Sequence, residues 1–191
     1  MADHYLHLQS VFDCLITNQY CLKLSKCVFG QISVDYLGHI LTNGCVMADP
    51  SKLSAMETWP VPKTQRQLRA FLGLTGYYRR FVRGYAGIAA PLTDLLRKDS
   101  FQWTPAAQEA FDALKAAMTS VPVLHLPHFE HEFIVETDAS NVGMGAVLMQ
   151  LEHPIAFFSK KLGPRLQAAS TYMKELYAIT ESVRKWRQYL L

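Results

Sequence analysis

Two carboxylates on separate elements have the chemistry to serve a reaction. Asp138 closes the apolar run "FIVETD" and precedes Ala139, Ser140 and Asn141, while Glu175 falls within a long C-terminal helical pattern. Acids from different elements can converge on divalent cations. Two-metal phosphodiester chemistry needs several of them around ions about 3.5–4 Å apart. Spacing alone leaves plainer roles open: Asp138 can cap the turn after its strand, and Glu175 can be an ordinary helix-surface acid. His125, His128 and His131 recur at threes, but Pro127 keeps them off a single helix. Metal ligands need converging geometry that spacing does not supply.

A basic segment is the second chemical feature. Between residues 60 and 100 there are eight Lys or Arg against two Asp (Asp94 and Asp99), although the whole chain carries only +3. Such a concentration can bind phosphate, or it can be a solvated helix surface. Its centre is "FLGLTGYYRRFV", residues 71–82, a helical pattern that contains Gly73 and Gly76. Each interior glycine costs a helix about 1 kcal/mol relative to alanine. At 100° per residue, Arg69, Gly73, Gly76, Arg80 and Arg83 fall within about 100° of Arg66. Leu68, Phe71, Leu72, Thr75, Tyr78 and Val82 cluster on the opposite, apolar side. A strip of arginines around bare backbone lets a polyanion come close while guanidinium groups hold its phosphates. Tight helix–helix contact at the glycines is the alternative, and the pattern alone does not choose between them.

The elements that must position these groups fall into three regions. Leu8, Val11, Phe12, Leu15 and Ile16 form a helical stripe near the N-terminus. "KCVFG" and "VDYLGHIL" read as strands joined by a turn at 30–33, and Asn43-Gly44 marks a further turn. Helices follow, with Asp49 before Pro50, Thr64, and Thr104 before Pro105 as N-caps. A third helix is expected over 86–98, interrupted early by Pro91. Ala107, Phe111, Leu114 and Met118 give the helix after Thr104 its inward face. "EFIVETDAS", "GMGAVLMQ" and "PIAFFSKKL" then read as strands. In the final helix Tyr172, Leu176, Ile179, Val183, Trp186 and Leu190 make one stripe, with Glu175 at its edge facing the side of the core.

Composition narrows the class. Half of the 191 residues are hydrophobic and 18% are charged, which suits a folded chain and argues against disorder. The four cysteines, Cys14, Cys21, Cys27 and Cys45, contain no CxxC pair, so reduced thiols fit better than zinc or a disulfide framework. There is no secretory signal and no membrane-crossing stretch, so the expected setting is intracellular, cytoplasmic or nuclear, with no membrane partner.

The ordered motifs "YLGHIL", "DPSKLSAMETWPVP", "LRAFLGLTGYYRRFV", "IAAPLTDLLRK", "FQWTPAAQEAFDALKAAMTSVPVL", "VETDAS", "GAVLMQ" and "KELYAI" span nearly the whole chain. Together they resemble the polymerase polyprotein of gypsy-type LTR retrotransposons, in versions found in plants. The resemblance implies an α+β fold: a palm-end helix and β-hairpin over 1–48, helical thumb and connection over 49–121, and a partial RNase H-like mixed sheet with one long helix over 122–191. It implies that "YLGHIL" supports the primer end. It also implies that the thumb helix rests in the minor groove of the template–primer duplex, which is wide and shallow where RNA is present. Arg66, Arg69, Gly73, Gly76, Arg80 and Arg83 would then contact an RNA–DNA hybrid or another duplex nucleic acid. Asp138 and Glu175 match the family's metal-binding aspartate and glutamate, which hold Mg²⁺ in the parent enzymes.

The departures are equally informative. The family's Tyr-x-Asp-Asp polymerase hairpin is absent from these 191 residues, as is the third RNase H aspartate expected on a strand after the long helix. Met173 stands where many members carry an acid. The expectation is therefore a fragment with an incomplete carboxylate set, nucleic-acid binding at most, and no cofactor of its own. Alternatively, the reading frame, with its own Met1 and short leader, is a host-recruited, non-enzymatic interaction or regulatory module. That module would engage a protein partner or itself through the open edge of the RNase H sheet. The sequence is equally compatible with a piece of a longer polyprotein.

Overall fold

The computed structural model describes residues 2–97 and 101–191. Lys98 and Asp99 of the basic segment, the expected end of the 86–98 helix, and Met1 lie outside the described residues. The chain divides into two compact units, Met1–Val34 and Asp35–Leu191.

In the first unit, α1 spans Ala2–Thr17. Leu8, Phe12 and Leu15 of the expected stripe are half-buried, whereas Val11 and Ile16 are exposed. The helix stops where the Asn18 amide donates to the Cys14 carbonyl and Gln19 turns left-handed. The segment "KCVFG" is not a strand. Its Lys26 ends a short 3-10 turn, Leu24–Lys26, and Phe29 meets the Phe12 ring edge-on at 5.9 Å.

The expected hairpin is displaced by several residues. "VDYLGHIL" is not one strand but two, β1 (Ser33–Tyr36) and β2 (His39–Thr42), which fold back at Leu37-Gly38. Both turn residues have positive φ, 49° and 75°, as a two-residue primed turn requires. Asn43-Gly44 makes the next such turn, as its sequence predicts, and leads into β3 (Cys45–Ala48). β4 (Leu124–His125) pairs antiparallel with β3, completing a sheet of order β1-β2-β3-β4.

Each predicted cap is made. Asp49 accepts from the Ser51 amide at the start of α2 (Pro50–Glu57), Thr64 from Gln67 at the start of α3 (Gln65–Tyr77), and Thr104 from Ala107 at the start of α6 (Pro105–Thr119). Between α3 and α6, Pro91 falls in the first turn of α5 (Ala90–Leu95), just after the short α4 (Tyr85–Ile88). Leu68, Phe71 and Thr75 are buried on α3 with Leu72 half-buried, Tyr78 and Val82 are buried beyond its end, and Ala107, Phe111, Leu114 and Met118 are buried on α6. Phe71 lies 4.6 Å from the Phe111 ring and 5.9 Å from Trp59, at the centre of this core.

A second sheet follows. β5 (Ile134–Ala139), β6 (Gly143–Gln150) and β7 (His153–Lys161) lie in that order, all antiparallel, so the α+β class holds with no parallel pair among these three strands. Gln150, buried at the end of β6, secures the preceding loop. It accepts from the His128 amide and donates to the His128 and His131 carbonyls. After α7 (Pro164–Gln167), α8 (Thr171–Lys185) packs along β5 and β6, and α9 (Arg187–Leu190) ends the described chain.

The face by which α8 docks differs from the expectation. Lys174, Ala178 and Ser182 are buried, while Tyr172, Leu176, Ile179 and Val183 are 84%, 55%, 49% and 41% exposed. The small Ala178 and Ser182 side chains let the helix backbone approach the sheet. Lys174 donates to the Asn141 side chain at 2.9 Å in the β5–β6 turn. The apolar stripe thus points away from the sheet, and only Trp186 of that stripe is fully buried, edge-on to Phe158. No helix among the described residues is long and apolar enough to cross a membrane.

Candidate nucleic-acid interface and carboxylate cleft

The basic strip divides in two. α3 ends at Tyr77, a 3-10 turn covers Arg79–Phe81, Val82 is extended and Gly84 is left-handed. Arg80 and Arg83 therefore do not continue the Arg66–Arg69 face, contrary to the angular count. Long-range hydrogen bonds fix the break. The Tyr78 hydroxyl donates to the Gly38 carbonyl at 2.6 Å, and the Tyr77 hydroxyl donates to the Leu37 carbonyl. A β-carbon on Gly38 would come within 3.1 Å of that Tyr78 hydroxyl, so the turn has two reasons to hold glycine, its φ and this close approach.

What remains on the outer face of α3 is Arg66, Arg69 and Gly73, all exposed, with Tyr77 half-exposed at its end. Apart from its chain neighbours and its own helix's backbone, no atom of the described residues lies within 4 Å of where a Gly73 β-carbon would sit. Gly73 is thus not a helix-packing glycine. Gly76 is different: it is partly buried, and its β-carbon would sit 3.6 Å from the Tyr85 hydroxyl. Arg69 donates to the Gln65 side chain at 3.3 Å on the exposed surface.

The "YLGHIL" hairpin carries one group that no sequence pattern singles out. His39 stacks on Tyr77 at 5.2 Å and meets Tyr78 edge-on at 5.4 Å, and its Nδ1 is buried with no hydrogen-bond partner among the described residues. Burial, and after it the Arg80 guanidinium, hold its pKa below the ordinary 6.5. The folded state resists protonation and the unfolded state does not. His39 therefore contributes stability that is complete above about pH 6.5 and declines as pH falls from there toward the lowered folded value. Thermal melts from pH 8 to 5 should show this decline flattened in His39→Phe. An unchanged pH dependence in the variant would sink the assignment.

Asp138 lies on the face of β5 that also carries Glu136. Both line a cleft of 370 Å³ with Arg83, Gly145 and Ser159. It does not cap the following turn. Ser140 does so, its hydroxyl accepting from the Val142 and Gly143 amides. The Ser159 hydroxyl accepts from the Ala86 amide at 2.8 Å and so closes the cleft's base. Glu175 does not line the cleft. It is exposed on α8, one residue after the Lys174 that anchors the helix to Asn141, rather than facing the side of the core.

Neither carboxylate makes an ion pair among the described residues, where the ion pairs are Lys160–Glu181, Lys161–Asp94 and Arg184–Glu181. Among the described residues, no group of three or more His, Cys, Asp or Glu is placed to hold a metal ion. Asp138 and Glu175 therefore do not by themselves make a fitted Mg²⁺ site, and no metal-dependent step follows from them. The three histidines at threes do not converge either. The His128 and His131 rings adjoin at 4.7 Å, whereas His125 adjoins His153 at 4.2 Å.

Comparison with known proteins places this geometry. Residues 103–191 match the RNase H-like domain found in reverse transcriptase. The chain is 42% identical over 193 residues to the retrovirus-related Pol polyprotein from transposon 297 of Drosophila melanogaster, covering 100% of this chain and 18% of that protein. An uncharacterised mitochondrial protein of Arabidopsis thaliana is 48% identical over 137 residues, covering 71% of this chain and 87% of that protein. The fold superposes on the foamy viral protease-reverse transcriptase, solved in complex with RNA/DNA hybrid, with a TM-score of 0.89 at 21% identity, over 99% of this chain and 26% of that one. The chain thus spans less than a fifth of the transposon polyprotein's length. With the cleft strand, the docked helix and the tyrosine-latched hairpin all in place, residues 103–191 match the RNase H-like domain found in reverse transcriptase, and the chain as a whole is similar to part of a retrotransposon Pol polyprotein.

Proposed function

We propose that this chain is a duplex-gripping portion of a reverse transcriptase–RNase H, with the outer face of α3 as its nucleic-acid contact and an RNA–DNA hybrid as its partner. One observation carries the reading: Gly73 is helical and exposed, on the same outer face as the exposed Arg66 and Arg69, and among the described residues nothing outside its own helix packs on it. A glycine that costs helix stability and has no packing partner beyond its own helix among the described residues suits an approach from outside. Arg66 and Arg69 supply planar guanidinium donors for phosphate oxygens beside it. The foamy viral structure in complex with RNA/DNA hybrid supports the choice of ligand. The order of motifs favours a gypsy-type, plant-like source and the division 1–48, 49–121 and 122–191. Four free cysteines suit an intracellular, cytoplasmic or nuclear setting. Salt-sensitive binding of an RNA–DNA hybrid at micromolar concentration is the expected result. Wild-type protein that ignores the hybrid at low salt would sink the reading.

Asp138 and Glu175 are the carboxylates we assign to the RNase H-like chemistry of the parent enzymes. These 191 residues supply an incomplete set, so we expect them alone not to cleave RNA in a hybrid when Mg²⁺ is added. Cleavage that disappears in Asp138→Asn would overturn that expectation. A second reading, a domesticated non-enzymatic module, draws on β5, which among the described residues is hydrogen-bonded to a neighbouring strand on one side only. It predicts self-association through that edge, visible as a concentration-dependent sedimentation coefficient that Val135→Pro abolishes.

A further inference from the structure

Arg80, having left the α3 face, joins a different set of cations. A cavity of 200 Å³ is lined by Tyr77, Arg79, Arg80, Phe157, Phe158, Ser159 and Lys185. The 3-10 turn supplies two of its charges and the last residue of α8 supplies the third. Among the described residues, no carboxylate lines it. Arg79, Arg80 and Lys185 make no ion pair among the described residues. The Arg80 guanidinium is held in place, its Nη2 donating to the Ile155 carbonyl at 3.3 Å, yet its Nε is buried with no hydrogen-bond partner among the described residues. A buried, unpaired donor on a charged group is costly to leave unmade. Glu181 lies one helical turn before Lys185 and is already bound by Lys160 and Arg184. The C-terminal end of α8 adds about half a negative charge, which three full positive charges outweigh. At about 30 Å³ per water, the volume admits one phosphate group and part of its hydration shell.

We propose that this cavity is a phosphate-binding site, separate from the α3 face, that seats one backbone phosphate of a bound nucleic acid. Arg79 and Lys185 close on the phosphate oxygens from the open side, and Arg80 donates from the wall. The assignment to nucleic acid rests on the duplex-gripping reading above; the affinity for a phosphate group does not.

Two measurements on the full chain test it. The first titrates inorganic phosphate, then pyrophosphate, while following the Arg80 Nε–H resonance by NMR. A saturable shift is expected in wild type and its loss in Arg79→Gln/Lys185→Gln. Both substitutions are at exposed positions, and circular dichroism checks that the fold persists. Arg80 is left intact because it anchors Ile155. The second measures the salt dependence of hybrid binding. The double variant should bind about tenfold more weakly, with a log–log salt slope shallower by roughly 1, one phosphate. No phosphate shift in wild type overturns the site. A phosphate shift with an unchanged salt slope overturns its assignment to nucleic acid, with the α3 reading intact. If wild type binds no hybrid at all, the α3 reading and the nucleic-acid assignment both fail, and the phosphate titration alone decides the cavity.

Discussion

Arg66→Glu/Arg69→Glu is expected to lower RNA–DNA hybrid affinity by a factor on the order of 10² or more, with little change in thermal stability. Charge-assisted hydrogen bonds contribute about 1.5–3 kcal/mol each, so removing two costs roughly 3–6 kcal/mol before repulsion from the new carboxylates is added. Counterion release gives an independent readout, because neutralising two fewer phosphates should make the salt slope shallower by about 2. Both side chains are exposed, and the hydrogen bond from Arg69 to Gln65 lies on the surface, so the fold has little stake in either arginine. A companion substitution separates binding from folding. Gly73→Leu replaces a helical glycine with space around it, so helix stability should rise by up to about 1 kcal/mol. The same side chain would stand between α3 and the duplex, so affinity should fall. A stabilised Gly73→Leu protein with wild-type affinity would refute the idea that the bare backbone serves approach. Arg83→Glu should act through the carboxylate cleft instead, since its guanidinium lies over the Phe157 ring on the far side of the break.

The contrast between Arg69 and Arg80 shows what sequence patterns carry and what they omit. Caps were legible because they are local: Asp49, Thr64 and Thr104 bond amides two or three residues away. The inward stripe of α3 was legible because Leu68, Phe71 and Thr75 share one face of one helix. The end of that helix was not, because it is set by tyrosine hydroxyls bonding to carbonyls 40 residues earlier in the chain. The same two bonds explain the displaced hairpin, since they hold the Leu37-Gly38 turn whose φ values no local turn signal in "VDYLGHIL" announces beyond a lone glycine. The error on α8 has another cause. Periodicity identifies an apolar face but not what lies against it. The sheet takes the face with Ala178 and Ser182, where the backbone can come close, and the large apolar side chains are left outside. Glu175 is referred to that same stripe, so it is exposed where an inward orientation is expected. Asp138 was located correctly at the end of its strand. Its neighbours in the cleft, Arg83 and Ser159, come from segments about 55 and 20 residues away and carry no shared motif.

Phe71→Ala should be the most destabilising single truncation in the second unit, costing about 3–5 kcal/mol. Phe71 is fully buried, its ring is 4.6 Å from Phe111, and Phe111 in turn meets Trp103 at 5.7 Å. Removing it leaves a cavity bounded by the Phe111 ring of α6 and the Trp59 ring of the loop after α2. For a unit of this size each kcal/mol shifts the melting temperature by about 2–4 °C, so a fall of roughly 6–20 °C is expected. Phe71→Leu keeps much of the volume and should cost far less. The functional consequence follows from geometry. Phe71 fixes the inner face of the helix whose outer face carries Arg66, Arg69 and Gly73, so the two roles are separable in measurement. Below its melting transition, Phe71→Ala should keep the wild-type salt slope for hybrid binding, because every phosphate-holding side chain remains, while its unfolding midpoint in denaturant drops. A shift of less than about 2 °C, the effect of a single kcal/mol or less, would show that the aromatic cluster is not what holds α3 against α6. A changed salt slope in the folded variant would show that the grip depends on the core packing of α3 and not on its surface charges alone.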